Sequence, residues 1–357
     1  MILMLLFMSG DNAITNGYQD LINAMPNKKN IIVVIPDDQK ISNYSDDFFM
    51  KIQIPNVVRK HYDLQISFFS YKLRHVIFKY DITGVFSYLD TFSLIPCMTF
   101  LPKNVKTCIY LHDPKLHSRE CINNKIKRKI NEIFLFPSVD KFIVSYYKGK
   151  IMLQNKQLYK NKSIDVVMLP NMPMSEFKYL REKKIKIKYD FIFFGRLEGY
   201  KGIDVLLDAF SLPKLSNVKL LIIGSGTLSN YVKNRSDKVN NVTFFNGYMP
   251  WEKLAEYICS SRFVIMPYRD ATGSQEIAIA NYYNKLVLAT RAGALGDYIV
   301  EGRNGFFIND LKVENLANKI NYMYQLDENK YVDFIKEEYK KFDINKIAKQ
   351  IYDIISK

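Results

Sequence analysis

Short apolar runs alternate along the chain with segments whose apolar residues recur at helical spacing. Runs such as 31–35 (IIVVI) and 191–194 (FIFF) are continuous and rich in β-branched or aromatic residues. This pattern is typical of strands that are buried on both faces of a parallel sheet. Segments such as 202–210 instead carry the three- and four-residue spacing of an amphipathic helix. The alternation predicts doubly wound, parallel α/β sheets.

The same reading gives an order of elements for the whole chain. In the first half it predicts strands at 1–8, 31–35, 82–88, 107–111, 141–145 and 163–169, with a short helix through Leu21 and Ile22 and longer helical segments at 57–80 and 91–100. In the second half it predicts strands near 190–194, 218–223, 241–245, 262–266 and 285–289, and helices near 202–212, 227–236, 250–259 and 274–283. The opening run lacks a basic flank and a small-residue cleavage site, so a buried strand is favoured over a targeting segment.

The length of 357 residues favours two domains. Prolines punctuate 170–173 and a charged stretch follows at 178–188, which indicates a break between two βα series. We therefore predict an N-terminal domain at 1–172, a linker at 173–188 and a C-terminal domain at 189–327. The last segment, 328–357, is expected to be helical and able to fold back onto the first domain.

Composition and net charge limit the classes of molecule that this protein is expected to bind. Hydrophobic residues make up 48% of the chain, as in a globular protein, and the net charge of +15 favours a polyanion, an anionic membrane surface or a phosphorylated substrate. The four cysteines lack metal-ligand or redox spacing, so we expect reduced thiols in a cytosolic protein. A nucleic-acid partner is disfavoured because no recognised motif or clustered basic and aromatic face supports it.

A basic segment at 122–133 suggests one specific contact. Its isoleucines, Ile122, Ile126, Ile130 and Ile133, recur at helical spacing among four basic residues, Lys125, Lys127, Arg128 and Lys129. An amphipathic basic helix of this kind either touches an anionic membrane or lies on the protein surface with its apolar face on the core. The sequence leaves both interpretations open.

Two cations mark a candidate anion site. Gly195 ends a predicted strand, and Arg196 and Lys201 follow on the loop before the next helix. Open α/β sheets bind ligands at the carboxyl ends of their strands, where helix amides also attract anions. Solvated loop charges are the alternative. His112 likewise follows a predicted strand and is either functional or structural.

Several successive stretches in the second half resemble the family 4 retaining glycosyltransferases. These stretches are 194–197 (FGRL) with Lys201-Gly202 and 206–210 (LLDAF), 221–226 (LIIGSG), 245–248 (FNGY), 289–297 (ATRAGALGD) and 301–306 (EGRNGF). The first half is similar more loosely, through 110–113 (YLHD), Ser145 and 169–171 (LPN). The resemblance implies the GT-B fold, in which two Rossmann-like domains face each other across a deep cleft.

The resemblance also implies roles for individual residues. Arg196 and Lys201 would hold the diphosphate of a nucleotide-sugar donor without a metal, and His112 would face the donor sugar. The remaining expected donor contacts are Gly17, Gly195, Gly224, Gly247, Tyr248, Thr272, Gly273, Ser274 and Gln275. Gly17 would lie on a polar loop near the diphosphate. Amides at the start of the helix near Ser274 would add donors.

The activity implied is metal-independent transfer of a hexose, with retention, to a glycan or to an acceptor linked to polyprenyl diphosphate. No cofactor is implied, since the nucleotide sugar is a substrate. The setting implied is bacterial surface polysaccharide biosynthesis, O-antigen (lipopolysaccharide) or capsule, in the cytoplasm or peripherally at the inner face of the cell membrane.

One departure from the family pattern concerns its Glu-x7-Glu pair, whose positions fall on Ala271 and Ile279. The chain instead resembles a subgroup with an "AT.SG" loop at 271–275, and Glu276 is the nearby acid. Glu276 would contact the sugar hydroxyls or the ribose, or would only complement the dipole of its helix. The departure keeps other functions open: a nucleotide-sugar epimerase or a phosphorylase of the same fold, or a catalytically degenerate binding protein.

Overall fold

The computed structural model describes residues 1–7, 13–36, 38–55, 62–114, 122–169, 178–183 and 185–357. The chain forms two compact units. The N-terminal unit comprises residues 1–173 together with 342–357, and the C-terminal unit comprises residues 174–341.

Each unit is built on a parallel sheet. Among the described residues of the N-terminal unit, seven strands lie in the order β3-β2-β1-β4-β5-β6-β7. They are β1 (Ile2–Leu5), β2 (Ile31–Ile35), β3 (Met50–Gln53), β4 (Gly84–Ser87), β5 (Lys106–Tyr110), β6 (Lys141–Val144) and β7 (Ser163–Val166). In the part of the C-terminal unit that the structure describes, six strands lie in the order β10-β9-β8-β11-β12-β13. They are β8 (Tyr189–Phe194), β9 (Leu220–Gly224), β10 (Val242–Asn246), β11 (Ser261–Met266), β12 (Leu286–Thr290) and β13 (Gly305–Ile308).

Helices connect the strands. Those of the N-terminal unit are α1 (Ala13–Asn23), α2 (Tyr62–Lys79), α3 (Ile95–Met98), α4 (Ile122–Ile130), which continues as a π-helical turn at Asn131–Leu135, and α5 (Tyr147–Gln154). Those of the C-terminal unit are α6 (Lys178–Glu182), α7 (Ile203–Phe210), α8 (Ser229–Ser236), α9 (Trp251–Cys259), α10 (Gln275–Tyr282), α11 (Leu295–Tyr298), α12 (Val313–Tyr324) and α13 (Val332–Tyr339). The last helix, α14 (Ile344–Ser356), belongs to the N-terminal unit.

Both faces of the N-terminal sheet are covered. On one face Met4 and Val33 pack with Tyr18 of α1 and Ile351 of α14. On the other face Leu3 packs in a core that contains Ile66 of α2. Burial on both sides explains why these strands are continuous apolar runs. Two parallel, doubly wound α/β units confirm the two Rossmann-like domains of the predicted fold class.

Several boundaries differ from the sequence-based predictions. Gly17 does not lie on a loop: it is buried within α1, because Tyr18, Leu21 and Ile22 turn that segment into a helix with one face on the core. Strands β3 and β13 were missed. The return to the N-terminal unit begins at residue 342, later than the predicted 328, since α13 packs on α10 of the C-terminal unit. Of the predicted linker, residues 173–177 and 184 lie outside the described residues.

Candidate functional site

The candidate site lies where the central strands of the C-terminal sheet end. β8 is buried over its last four residues and stops at Gly195, whose φ of 119° is unfavourable for residues with a side chain. A short 3-10 turn, Gly199–Lys201, then leads into α7. The loop that carries both candidate cations therefore sits at the carboxyl edge of the sheet, as predicted.

Close backbone approach shapes this edge. A Cβ atom on Gly224, at the end of the neighbouring strand β9, would lie 1.8 Å from the carbonyl oxygen of Gly195. A Cβ atom on Gly195 would lie 3.0 Å from Nζ of Lys201 and 3.2 Å from Oε1 of Glu276. Glycine at 195 therefore keeps a space open beside the charged ends of these two side chains.

Lys201 is held inside the unit by specific partners. Its side chain is only 5% exposed, and Nζ donates to Oε1 of Glu276 at 2.7 Å and to the hydroxyl of Tyr268 at 2.8 Å. The ammonium also lies 4.6 Å from the centre of the Tyr268 ring. An ammonium has three donor hydrogens, and described residues accept two of them.

Glu276 uses both carboxylate oxygens. Oε2 accepts from the hydroxyl of Ser274 at 2.7 Å, and Oε1 accepts from Lys201 and, at 3.3 Å, from Tyr268. Burial alone would lower the pKa of Lys201 and raise the pKa of Glu276, but the ion pair between the two groups outweighs the effect of burial. The pKa of Lys201 is therefore raised by Glu276, and the pKa of Glu276 is lowered by Lys201 and by the hydrogen bond from Ser274. Both groups are charged at neutral pH.

Arg196 differs from Lys201 in its exposure and in its partners. Its side chain is exposed, and it makes no hydrogen bond or ion pair with the residues that the structure describes. The charge of Lys201 is offset by Glu276, whereas the charge of Arg196 is not. An approaching anion would therefore be attracted mainly by Arg196 and would then meet a preformed donor at Lys201.

The other candidate residues of the C-terminal unit surround this centre to different extents. Ser274 is buried beside Glu276, and Thr272, Gly273 and Gln275 are half-buried on the loop into α10. The amide of Gly247 donates to the carbonyl oxygen of Gly224, which brings the end of β10 to the same edge. Tyr248 is largely exposed, without a described contact to Lys201 or Glu276.

Sequence reasoning missed Tyr268. This side chain follows β11, and its backbone carbonyl accepts a hydrogen bond from Thr290 at the end of β12. Its hydroxyl joins Lys201 and Glu276, and burial together with the Glu276 charge raises its pKa, so it stays a neutral donor. Its place directly after a buried strand was the available signal.

His112 and Gly17 belong to the N-terminal unit. The His112 ring packs between Tyr88 and Tyr110, with ring centres 4.7 and 4.8 Å away, and its Nε2 lies 2.8 Å from the carbonyl oxygen of Tyr88. Because a carbonyl oxygen only accepts, Nε2 carries the proton and Nδ1 is the acceptor of the neutral ring. Burial lowers the pKa of His112, which favours this neutral form.

No group of three or more His, Cys, Asp or Glu side chains within the described ranges is arranged to hold a metal ion. Among the same residues, no helix combines the length and hydropathy needed to cross a bilayer.

Residues 176–341 match the family model described as Glycosyl transferases group 1. The match covers the C-terminal unit, where the Lys201 and Glu276 pair lies.

Two relatives in sequence are similar to the chain over different lengths. The chain is 24% identical, over 287 residues, to an uncharacterized 41.2 kDa protein in the cps region of Klebsiella pneumoniae, covering 77% of this chain and 79% of that protein. It is 30% identical, over 182 residues, to an uncharacterized glycosyltransferase of Methanocaldococcus jannaschii, MJ1178, covering 47% of this chain and 49% of the relative.

Solved structures share the fold over the whole chain. Anabaena Alr3699/HepE in complex with UDP and glucose gives a TM-score of 0.67 at 16% identity, with 99% of both chains covered. Sucrose-phosphate synthase from Thermosynechococcus elongatus gives 0.70 at 15% identity, covering 99% and 97%. WaaG, a glycosyltransferase involved in lipopolysaccharide biosynthesis, gives 0.64 at 14% identity, with 99% of both chains covered. The fold is that of GT-B glycosyltransferases.

Proposed function

We propose that this protein is a glycosyltransferase that moves a hexose from a nucleotide-sugar donor to a glycan or lipid-linked acceptor, with retention and without a metal. The observation that carries the proposal is the buried, preformed Lys201 donor on the loop after β8, which also carries Arg196, a side chain without a hydrogen bond or ion pair among the described residues. A cation pair at this edge of a parallel sheet suits a diphosphate. The match to the group 1 family model over 176–341 supports it.

The donor diphosphate would bind between the Arg196 guanidinium and the third hydrogen of the Lys201 ammonium. In the reaction the bond from the anomeric carbon to the diphosphate oxygen breaks, and the two cations stabilise the charge that develops on that oxygen. The acceptor hydroxyl oxygen bonds to the anomeric carbon from the same face. Its proton passes to the departing phosphate, so no protein nucleophile is needed.

We assign Glu276 as a positioning residue whose Oε1 keeps Lys201 charged and fixed. Its Oε2 accepts from Ser274 and keeps a lone pair for the sugar or ribose hydroxyl that the sequence suggested. It thereby compensates for the absence of acids at Ala271 and Ile279. His112 is assigned to the donor sugar, to which its neutral Nδ1 offers an acceptor.

The setting we propose is the assembly of a bacterial surface polysaccharide, O-antigen or capsule, on a polyprenyl-diphosphate carrier at the inner face of the cell membrane. The relative encoded in a cps region favours a capsule. UDP is the first nucleotide to test, because a neighbour in fold was solved with UDP and glucose.

The proposal is tested with a panel of uridine, guanosine and adenosine diphosphate sugars. We expect one of them to raise the thermal unfolding midpoint and to release nucleoside diphosphate, faster with acceptor than without, in the presence of a chelator. Product analysis by NMR should give the anomeric configuration of the donor.

Other outcomes separate the alternatives. Donor binding without turnover under any acceptor condition would favour a degenerate binding protein. Conversion of the nucleotide sugar into its epimer, without net release of nucleoside diphosphate, would favour the epimerase. Binding of no member of the panel would overturn the diphosphate site itself.

A further inference from the structure

Helix α4 exposes apolar side chains to solvent. A surface helix normally places its apolar stripe on the core and its charges in solvent. In α4 none of the residues from Ile122 to Ile130 is buried, and Ile122 and Ile126 are 74% and 53% exposed. The interpretation that this helix merely covers the core with its isoleucines is therefore excluded for these two residues.

The inward side of α4 is polar. The Arg128 guanidinium donates to the carbonyl oxygen of Asp113 at 2.7 Å and pairs with the carboxylate of Asp90 at 3.2 Å. The amide of Asn131 donates to the carbonyl oxygen of Asp90. Arg128 is two residues from Ile126, which on a helix is the opposite side. These contacts anchor the helix with its isoleucines outward.

The exposed apolar surface continues beyond the helix. In the π-helical turn that follows, Ile133 and Phe134 are 54% and 58% exposed. The turn packs against α3, and Phe100, which closely follows α3, is almost fully exposed. Exposed large side chains grouped in this way indicate a contact surface, since isolated ones need no explanation.

Basic residues flank this apolar stripe. The helix, 122–130, contains Lys125, Lys127, Arg128 and Lys129 and no acidic residue, and the turn after it adds one acid, Glu132, whose carboxylate lies 3.7 Å from the Lys129 ammonium. Lys125 and Lys129 are exposed next to the isoleucine side. An apolar stripe bordered by cations complements the interface of a bilayer that carries anionic lipids, where isoleucine enters the acyl boundary and lysine meets the headgroups.

We propose that α4 and the turn after it, residues 122–134, form the surface by which this protein docks on an anionic membrane. The orientation of α4 carries this inference; it rests on the proposed function only for the location of the lipid-linked acceptor. Docking would place the N-terminal unit where such an acceptor is available.

The test uses the full chain and co-sedimentation with phosphatidylcholine vesicles, with and without phosphatidylglycerol. We expect binding to the anionic vesicles that weakens as salt rises, because the lysine contribution is screened. Ile122→Ser with Ile126→Ser should weaken binding roughly tenfold or more. Lys125→Glu with Lys129→Glu should do so by a similar factor.

Matched variants serve as controls. Ile41→Ser with Ile187→Ser changes two isoleucines elsewhere that are 40% and 42% exposed, and Lys238→Glu with Lys330→Glu reverses two exposed lysines of the C-terminal unit. Both should bind vesicles like the native chain. The α4 variants should keep the native unfolding midpoint and the native nucleoside diphosphate release in vesicle-free solution.

Vesicle binding and nucleoside diphosphate release together separate the proposed docking surface from the proposed transferase activity. Normal donor turnover with vesicle binding unaffected by the α4 changes would overturn the docking surface and leave the transferase intact. Loss of donor turnover with normal α4-dependent docking would contradict the transferase and leave the docking surface intact. A native chain that elutes as a dimer, and a serine variant that elutes as a monomer, would show that α4 instead contacts a second copy.

Discussion

In the C-terminal unit the charged end of Lys201 lies buried against Glu276 and Tyr268, whereas in the N-terminal unit the lysines of α4 lie in solvent beside exposed isoleucines. Both units are parallel α/β sheets of similar construction. The first arrangement fixes one cation with hydrogen bonds at the edge of a sheet, as a small anionic group requires. The second spreads several cations over a surface, as an extended anionic partner requires. In the two proposals the same residue type thus serves two kinds of recognition, depending on burial.

The largest effect should follow from Lys201→Met, which removes the buried cation and keeps the length of its side chain. We expect turnover to fall about a thousandfold. The free energy of unfolding should fall by about 3 kcal/mol, because the Glu276 carboxylate loses its partner. Steady-state kinetics and urea denaturation measure the two quantities.

A double variant separates the two roles of that lysine. Lys201→Met with Glu276→Gln removes both charges, so much of the lost stability should return while turnover stays low. Recovery of turnover in the double variant would contradict the assignment of Lys201 to the diphosphate.

Arg196→Ala should lower kcat/KM about a hundredfold. Because this side chain is exposed and unpaired among the described residues, the free energy of unfolding should change by less than about 0.5 kcal/mol. The control is Lys214→Ala, which removes an exposed cation paired with Glu314 and should alter neither quantity appreciably. Equal activity of the Arg196 and Lys214 variants would show that the loop charge is merely solvated.

His112→Gln probes the N-terminal unit. Glutamine can still donate to the carbonyl oxygen of Tyr88 but lacks the Nδ1 acceptor, so we expect turnover to fall roughly tenfold or more with little loss of stability. His112→Ala should cost about 1 kcal/mol more stability than glutamine, because it orphans that carbonyl. A glutamine variant with native turnover would leave His112 with a structural role only.

The smallest effect concerns pH. The pKa of Glu276 is lowered in the folded state, so its contribution to stability is present above the unfolded value of about 4.3 and is lost as pH falls through the folded value. The stability difference between the native chain and Glu276→Gln should therefore be largest near neutral pH and shrink below about pH 4. Urea denaturation across that range measures it; a difference that grew on acidification would contradict the charged pair.

Sequence reasoning reached the fold class and the loop of Arg196 and Lys201, because strand ends and apolar runs follow local rules. It placed Gly17 on a loop, since polar residues flank it, although tertiary packing of Tyr18 and Leu21 makes the segment helical. It could not find the Tyr268 contact, because a residue 67 positions away from Lys201 meets it only after the sheet has formed.

The sequence alone determined that this chain folds into two parallel α/β sheets and that one of them presents two cations at a strand end. Local hydrophobic periodicity is sufficient for that, since each buried strand and amphipathic helix is specified within a few residues. The tertiary structure decided which cation is buried and paired, and which side of α4 faces solvent. Those outcomes depend on Glu276, Tyr268 and Asp90, which reach their partners only across the folded sheet.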